Sequence, residues 1–315
     1  MPDPPAVLAE KLTKTFGAFT AVDHLDLSIA KGEVVGFIGP NGAGKSTTIR
    51  MLCGLLRPTD GRAEVAGYDV AREPEAVRAH IGYMSQKFSL YGDLSVRENL
   101  RFFGGLYQVK RSELDARTHD AIEMAGLGGR EDVLVRTLAG GWKQRLALGC
   151  AILHRPPVLF LDEPTSGVEP EARRRFWELI HRLASDGVTI LVSTHYMEEA
   201  EYCNRIALID AGKLVAVGSP GELRRHELGG VLYEMDCSAL GAALAALNGA
   251  PGVIDAAIFG DKLHVLVHGA GDAAGLSEFL AGKGIKAGVP RDIVPSLEDV
   301  FVQLVTRPHT ESAAA

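Results

Sequence analysis

Residues 39–47 carry the clearest chemistry in the sequence, because they match the pattern G-x-x-x-x-G-K-[ST] at every fixed position. Glycines in such a loop let successive backbone N–H groups curl around a phosphate, and the positive end of the following helix dipole adds to the attraction. Lys45 can reach the β- and γ-phosphates, and the Ser46 hydroxyl can ligate Mg²⁺. The residues expected to cradle the phosphates are Gly39, Pro40, Asn41, Gly42, Ala43, Gly44, Lys45, Ser46 and Thr47.

Two adjacent acids, Asp162 and Glu163, follow directly after the apolar run 158–161. An uninterrupted apolar run is typical of a parallel strand that is buried on both faces. Acids at the end of such a strand are unfavourable unless they serve a function. One carboxylate could hold Mg²⁺ while the next orients or deprotonates a water. The alternative is that the two acids simply begin a solvent-exposed loop.

Three apolar runs end at Gly39, Asp162 and His195, and a shorter one ends just before Gln86. In an open α/β sheet, ligands bind outside the carboxyl ends of the strands. We therefore expect the first three motifs to converge on one nucleotide, with the Gln86 amide within reach of the same site. Taken singly, a lone glutamine is usually a surface residue and a lone histidine is usually structural.

Two further features are ambiguous when read alone. Phe16 could stack on an adenine ring, although a phenylalanine in this position is more often core filler. The pair Gly140 and Gly141 opens a helical pattern and could form a second anion site, or it could be a plain junction between loop and helix. The arginine run 173–175 predicts a solvated helix face.

The chain that positions these groups has 315 residues, of which 46% are hydrophobic and 23% are charged. This length suggests two domains, or one domain with an appendage. The net charge of −7 argues against a protein whose main task is to wrap nucleic acid. The first residues lack the basic and apolar regions of a signal peptide, and no run of about 18 apolar residues occurs. We therefore expect no membrane span, and the dispersed cysteines are typical of a cytosolic protein.

The pattern of elements predicts residues 1–220 to be a nucleotide-binding domain of the α/β class. Alternating strands near residues 7–12, 25–29 and 63–66 predict an antiparallel sheet beside the phosphate loop. A capping box at Ser95 opens a helical insertion. In residues 221–306 the order β-α-β-β-α-β predicts a small ferredoxin-like α+β domain, whose last strand is expected at 285–289. Residues 307–315 are expected to form a disordered tail.

With these motifs in this order, the chain resembles an ABC transporter ATP-binding subunit, and residues 7–220 carry the resemblance. It looks most like the bacterial daunorubicin-resistance-like multidrug exporter ATPases. The segments that resemble this branch are Ser85 with Gln86, residues 162–168, residues 193–199 and residues 297–301. The resemblance implies a P-loop NTPase fold with antiparallel β and helical subdomains.

The resemblance also implies roles for individual residues. Phe16 stacks on adenine, Glu163 is the catalytic base, and His195 contacts the γ-phosphate. The residues implied in catalysis are Glu163, His195, Gln86 and Lys45, and those implied in holding Mg²⁺ are Ser46, Gln86 and Asp162. The signature of the family is presented to the ATP of a second subunit, and here its members are Leu138, Ala139, Gly140 and Gly141.

On this reading the protein is an ATPase that takes ATP and Mg²⁺ and drives transport, with export of drugs or other lipophilic compounds. Its implied partners are a separate membrane permease and a second ATP-binding subunit, identical or different, with no nucleic acid. It is expected in the cytoplasm, peripheral to the inner face of the cell membrane. The alternatives are a soluble ABC-type ATPase that acts on DNA, ribosomes or an assembly partner, and a P-loop kinase, which would need neither His195 nor the Gly-Gly turn.

The chain departs from the family pattern at three positions. The signature has Ala139 where serine is usual and Trp142 where glutamine is usual, and Glu169 replaces the usual aspartate at a dimer contact. Ala139 has no hydroxyl to give a phosphate across the dimer, which removes a hydrogen bond of about 1 kcal/mol. Weaker closure of the dimer is therefore expected, without loss of catalysis.

Overall fold

The computed structural model describes residues 3–86, 89–226 and 228–306, so the expected disordered tail at 307–315 lies outside the described residues. The strands are β1 (Val7–Phe16), β2 (Phe19–Ile29), β3 (Val34–Ile38), β4 (Asp60–Val65), β5 (Tyr68–Asp69), β6 (Ile81–Met84), β7 (Val158–Asp162), β8 (Thr189–Thr194), β9 (Arg205–Asp210), β10 (Lys213–Gly218), β11 (Val231–Met235), β12 (Val253–Phe259), β13 (Lys262–Val267) and β14 (Arg291–Asp292).

The α-helices are α1 (Lys45–Leu52), α2 (Pro74–Ala79), α3 (Val96–Leu106), α4 (Arg111–Met124), α5 (Gly140–Ile152), α6 (Pro170–Ser185), α7 (Pro220–His226), α8 (Leu240–Leu247), α9 (Ala270–Ala273), α10 (Leu276–Gly282) and α11 (Leu297–Thr306). Short 3₁₀ helices occupy Val135–Thr137 and Met197–Tyr202. The chain divides into two compact units, one ending at Val217 and the other beginning at Gly218. Among the described residues, no helix combines the length and the apolar character needed to cross a bilayer.

A sheet with the strand order β10-β9-β3-β8-β7-β6 forms the centre of the first unit. The pairs from β9 through β6 are parallel. Every residue of β3, β7 and β8 is buried, which explains why these strands read as continuous apolar runs. The predicted α/β core is therefore confirmed.

A second sheet, in the order β2-β1-β4-β5, is antiparallel as the alternating pattern predicts. Leu12 of β1 and Val22 of β2 share one hydrophobic core with Phe37 of β3 and Met51 of α1. The antiparallel sheet, the helix after the phosphate loop and the parallel sheet thus pack as one body.

The helical subdomain is formed by α3, α4 and α5, which pack around Leu100, Ile122 and Leu146. The predicted capping box is confirmed. The Ser95 Oγ accepts a hydrogen bond from the Glu98 N–H, and Glu98 accepts one from the Ser95 N–H. This box fixes the start of α3, and the subdomain carries residues 138–142 at the start of α5.

The second unit contains a sheet in the order β12-β13-β11-β14 with antiparallel neighbours. This is the strand order expected for a ferredoxin-like domain, and the helices α8 and α10 contribute to its core. The expected last strand at 285–289 is wrong. In that stretch only Ala287 forms a bridge, with Cys237, and the paired strand is Arg291–Asp292. Pro290 has no N–H to donate, which interrupts the ladder between the two.

Candidate functional site

The phosphate loop runs from the end of β3 to the start of α1, and two of its glycines are required by close contacts. A Cβ atom on Gly39 would lie 2.1 Å from the Ile209 carbonyl oxygen. Gly44 caps α1 in a left-handed conformation, with φ of 105°, and a Cβ there would lie 2.5 Å from the Ala21 carbonyl oxygen. Side chains are therefore excluded at both positions, because the loop packs closely against the backbone at Ile209 and Ala21.

Lys45, the first residue of α1, is 4% exposed. Its Nζ donates hydrogen bonds to the carbonyl oxygens of Gly39 (2.8 Å) and Pro40 (3.0 Å), and it lies 3.6 Å from the Glu163 Oε1 atom. Burial lowers the pKa of Lys45, and the neighbouring carboxylates of Glu163 and Asp162 oppose that change. The ammonium group is thus placed within the loop and balanced by two acids.

Asp162 ends β7 and is buried. Its Oδ1 atom accepts hydrogen bonds from the Ser46 hydroxyl (2.9 Å) and the Ser193 hydroxyl (2.7 Å). Burial raises the pKa of Asp162, and the hydrogen bonds from the two serines oppose the rise. A hydroxyl and a carboxylate oxygen side by side are the hard oxygen donors that Mg²⁺ prefers, so this pair fits that ion.

Glu163 is the point where the other side chains meet. Its Oε2 atom accepts a hydrogen bond from the Gln86 Nε2 atom (2.9 Å) and lies 3.4 Å from the His195 Nδ1 atom. Its backbone is left-handed, with φ of 48°, and its N–H contacts the Ser193 carbonyl oxygen and hydroxyl. A non-glycine residue in this conformation stores strain that the surroundings must hold, which is typical of functional positions.

The structure therefore brings together six of the residues singled out from the sequence, namely Lys45, Ser46, Gln86, Asp162, Glu163 and His195. Phe16 lies at the tip of the β1–β2 hairpin, where it is half-exposed and has the Lys14 ammonium 5.2 Å from its ring centre. Residues 138–142 lie outside the group of side chains that meet at Glu163.

Ala139 is the N-cap of α5 and gives its helix no side-chain hydrogen bond. Together with Gly140, Gly141 and Trp142 it lines a cavity of about 290 Å³, which residues 167–169 also line. Two guanidinium groups contact the Trp142 ring, those of Arg130 (4.5 Å from the ring centre) and Arg145 (3.8 Å). The lining also holds Arg175, Glu169 and Glu171, so the charges of its two arginines, Arg145 and Arg175, are offset by two carboxylates. The N-terminus of α5, whose first N–H groups have no partner within the helix, is therefore the feature that suits an anion.

Sequence reasoning missed Ser193 and misjudged Arg173. Ser193 pairs with Asp162 in the parallel register of β7 and β8, a relation that a single sequence does not reveal. The predicted solvated face at 173–175 is wrong for Arg173, whose side chain is 18% exposed and lies 3.3 Å from the buried carboxylate of Glu199. A run of charged residues predicts a solvent-exposed helix face, and the sequence alone does not show which segment packs against it.

Comparison with known proteins places these motifs in context. Residues 22–166 match the family model described as ABC transporter, and residues 137–199 match a model described as an AAA domain, putative AbiEii toxin of a type IV toxin–antitoxin system.

Among curated proteins, the chain is 49% identical over 223 residues to the probable multidrug ABC transporter ATP-binding protein YbhF of Escherichia coli, covering 71% of this chain and 39% of that protein. It is 37% identical over 309 residues to the daunorubicin resistance ATP-binding protein DrrA3 of Streptomyces coeruleorubidus, covering 95% of each.

Among solved structures, one similar chain is the ATP-binding cassette MJ0796, described as a dimeric post-hydrolysis state bound to ADP and Pi. The TM-score is 0.62 and the sequence identity is 27%, over 68% of this chain and 98% of that one. The predicted resemblance and fold class are confirmed by these matches.

Replacing Asp162 by asparagine is expected to stabilise the protein when no nucleotide is bound. The raised pKa means that the ionised carboxylate disfavours folding at neutral pH, and asparagine keeps an oxygen for Ser46 and Ser193. We expect a gain of about 1 kcal/mol at pH 7 in denaturant unfolding. This gain in stability should shrink as the pH falls towards 3.8, the ordinary pKa of aspartate. At that pH the buried carboxyl of the wild-type protein is protonated and carries no charge.

The matched control is Asp132→Asn, because the side chain of Asp132 is 89% exposed and its pairing with Arg97 lies in solvent. A less stable Asp162→Asn variant at pH 7, or a gain that does not change with pH, would contradict the conclusion that the buried charge of Asp162 is destabilising.

Proposed function

This chain belongs to the ABC transporter family of ATP-binding subunits, and from that premise we propose that it is the ATP-hydrolysing motor of an exporter of drugs or other lipophilic compounds. The observation that carries the proposal is the convergence of Lys45, Gln86 and His195 on the Glu163 carboxylate. The export of drugs rests on the names of relatives alone, and the chain spans 39% of the length of the YbhF relative.

In the proposed complex, the N–H groups of residues 39–47 and the Lys45 ammonium bind the phosphates of ATP, and Phe16 stacks on the adenine ring. Ser46, Gln86 and Asp162 would hold Mg²⁺, which would neutralise charge on the phosphate oxygens. The oxygens of Ser46 and Asp162 are already adjacent, so the chain preorganises these two ligands.

Glu163 acts as the general base of hydrolysis. A water oxygen forms a bond to the γ-phosphorus, the bond from that phosphorus to the bridging oxygen breaks, and the electron pair leaves with ADP. Glu163 accepts a proton from the attacking water. Gln86 orients that water, and His195 contacts the γ-phosphate. The hydrogen bond from Gln86 and the proximity of His195 fix the direction of the carboxylate before substrate arrives.

A second ATP-binding subunit completes each site. The cavity beside Ala139, with its helix N-terminus, receives the γ-phosphate of the ATP bound to that subunit. Without the usual serine hydroxyl, the backbone N–H groups of Gly140 and Gly141 carry the contact. The similarity to a dimeric cassette supports this arrangement.

The partner that couples hydrolysis to transport is a separate membrane permease, which places this subunit at the cytoplasmic face of the membrane. A cluster of exposed aromatic side chains on the helical subdomain suits such a partner. Tyr91 and Phe102 are 49% and 44% exposed, their ring centres are 4.6 Å apart, and Phe102 packs edge-on against Phe103. Exposed aromatic clusters of this kind are typical of binding hot spots.

Replacing Glu163 by glutamine tests the proposed chemistry. Glutamine keeps the size of the side chain but cannot accept the proton of the water, so ATP hydrolysis should fall by at least about a hundredfold. Steady-state phosphate release and nucleotide binding should be measured on the same preparation, and binding should persist. Glu178→Gln, an exposed position on α6, serves as the control. Wild-type turnover in Glu163→Gln would remove Glu163 from the role of base.

Replacing Phe102 by serine tests the docking surface. Loss of one aromatic anchor should lower the fraction of subunit recovered with permease-containing membranes by about tenfold, while ATP hydrolysis by the free subunit is unchanged. Ile258→Ser is the control, since Ile258 is similarly exposed, at 42%, in the second unit. Equal membrane recovery of Phe102→Ser and wild type would exclude the aromatic cluster as the docking surface.

A further inference from the structure

Glu199 is a fully buried carboxylate outside the group of side chains that meet at Glu163. Its Oε1 atom accepts a hydrogen bond from the Thr165 hydroxyl (2.5 Å) and lies 3.3 Å from the Arg173 Nε atom. Its Oε2 atom is buried and has no hydrogen-bond partner among the described residues. A buried ion pair contributes little net stability compared with an apolar replacement, so such a pair is better explained by the arrangement that it specifies.

The carboxylate joins three segments that form different parts of the site. Thr165 lies two residues after Glu163, in the loop that continues into residues 167–169 and the cavity beside Ala139. Arg173 lies in the first turns of α6, and Glu199 belongs to the 3₁₀ helix that follows His195. The loop after Glu163 and the segment after His195 are therefore linked through the buried contacts of Glu199.

Arg173 extends this contact to the histidine. Its guanidinium lies 4.1 Å from the centre of the Tyr196 ring, and the Tyr196 ring centre lies 4.1 Å from that of His195. The Tyr196 N–H also donates a hydrogen bond to the Thr194 hydroxyl (3.0 Å). A shift of Arg173 would therefore displace Tyr196 and, with it, the His195 ring that faces Glu163.

We propose that Glu199 is a positioning residue: by holding Arg173 and Thr165 it sets the His195 ring against Glu163 and ties it to residues 167–169. The same carboxylate then links the hydrolytic centre to the surface that meets the second subunit. This proposal rests on the proposed function, because it assigns Glu199 a role in the hydrolysis step and none in binding ATP.

The test compares Glu199→Gln with Glu198→Gln. Glutamine at 199 keeps the size of the side chain and an acceptor for Thr165 but leaves Arg173 without its buried counter-charge. We expect kcat for ATP hydrolysis to fall about tenfold while KM changes little, as for a misplaced catalytic group. Glu198 is the matched control, since it lies 4.0 Å from the same arginine but is 90% exposed, and its replacement should leave both constants unchanged.

A second pair of variants isolates the hydrogen bond. Thr165→Val removes the hydroxyl and should lower kcat in the same direction, whereas Thr165→Ser keeps the hydroxyl and should restore it. Since Glu199 is argued to act through His195, Glu199→Gln should cause no further loss of kcat in a His195→Ala background. A purely structural role would give losses that add.

Three results would overturn the proposal: wild-type kcat in Glu199→Gln, equal changes in kcat and KM, or additive losses with His195→Ala. If wild type hydrolyses ATP in a Glu163-dependent manner, such a result removes the role of Glu199 and leaves the proposed function in place. If wild type shows no hydrolysis at all, the proposed function and the role of Glu199 both fail.

Discussion

The parallel register of β3, β8 and β7 determines where the groups of the candidate site lie. Ile38 pairs with Thr194 and Asp162 pairs with Ser193, so the residues after these strands emerge side by side at one edge of the sheet. The phosphate loop begins directly after β3, His195 directly after β8 and Glu163 directly after β7. β6 adds Gln86 from the neighbouring position. If one strand were shifted by one residue, its side chains would turn to the other face of the sheet, and the groups of the site would no longer meet.

The three charged groups at this edge, Lys45, Asp162 and Glu163, are buried. The Lys45 ammonium lies 3.6 Å from the Glu163 carboxylate, and the charges of Glu163 and Asp162 both raise the pKa of Lys45 against the effect of burial. Burial makes these interactions stronger than they would be in water, and it also makes an unbalanced charge unfavourable. The site is thus adapted to receive a highly charged ligand, with a loss of stability when none is bound.

The sequence alone predicted the loop at residues 39–47, the two acids at the end of β7 and the strands and helix that position them, because each has a local signature. Ser193 and the buried pair of Arg173 and Glu199 could not be found in this way. Their roles arise from contacts between segments that are distant in the chain, and a single sequence shows neither strand order nor helix packing. The strand expected at 285–289 was wrong for a related reason: only Ala287 is bridged, Val289 is 80% exposed, and Pro290 interrupts the ladder before Arg291. The contacts of Arg130 and Arg145 with the Trp142 ring could not be predicted from the sequence either.

In the proposed function, one subunit builds only part of each ATP site, and a second subunit supplies the cavity beside Ala139. Light scattering of the Glu163→Gln variant, with and without Mg²⁺ and ATP, tests this most directly. We predict a monomer without nucleotide and a dimer with it, and loss of the dimer when Gly140→Asp is added. A third carboxylate, beside those of Glu169 and Glu171 and directly at the N-terminus of α5, would repel phosphate. Gly140→Ala, which has open space around its Cβ, should still dimerise. A dimer that forms without nucleotide, or one that survives Gly140→Asp, would contradict the composite site.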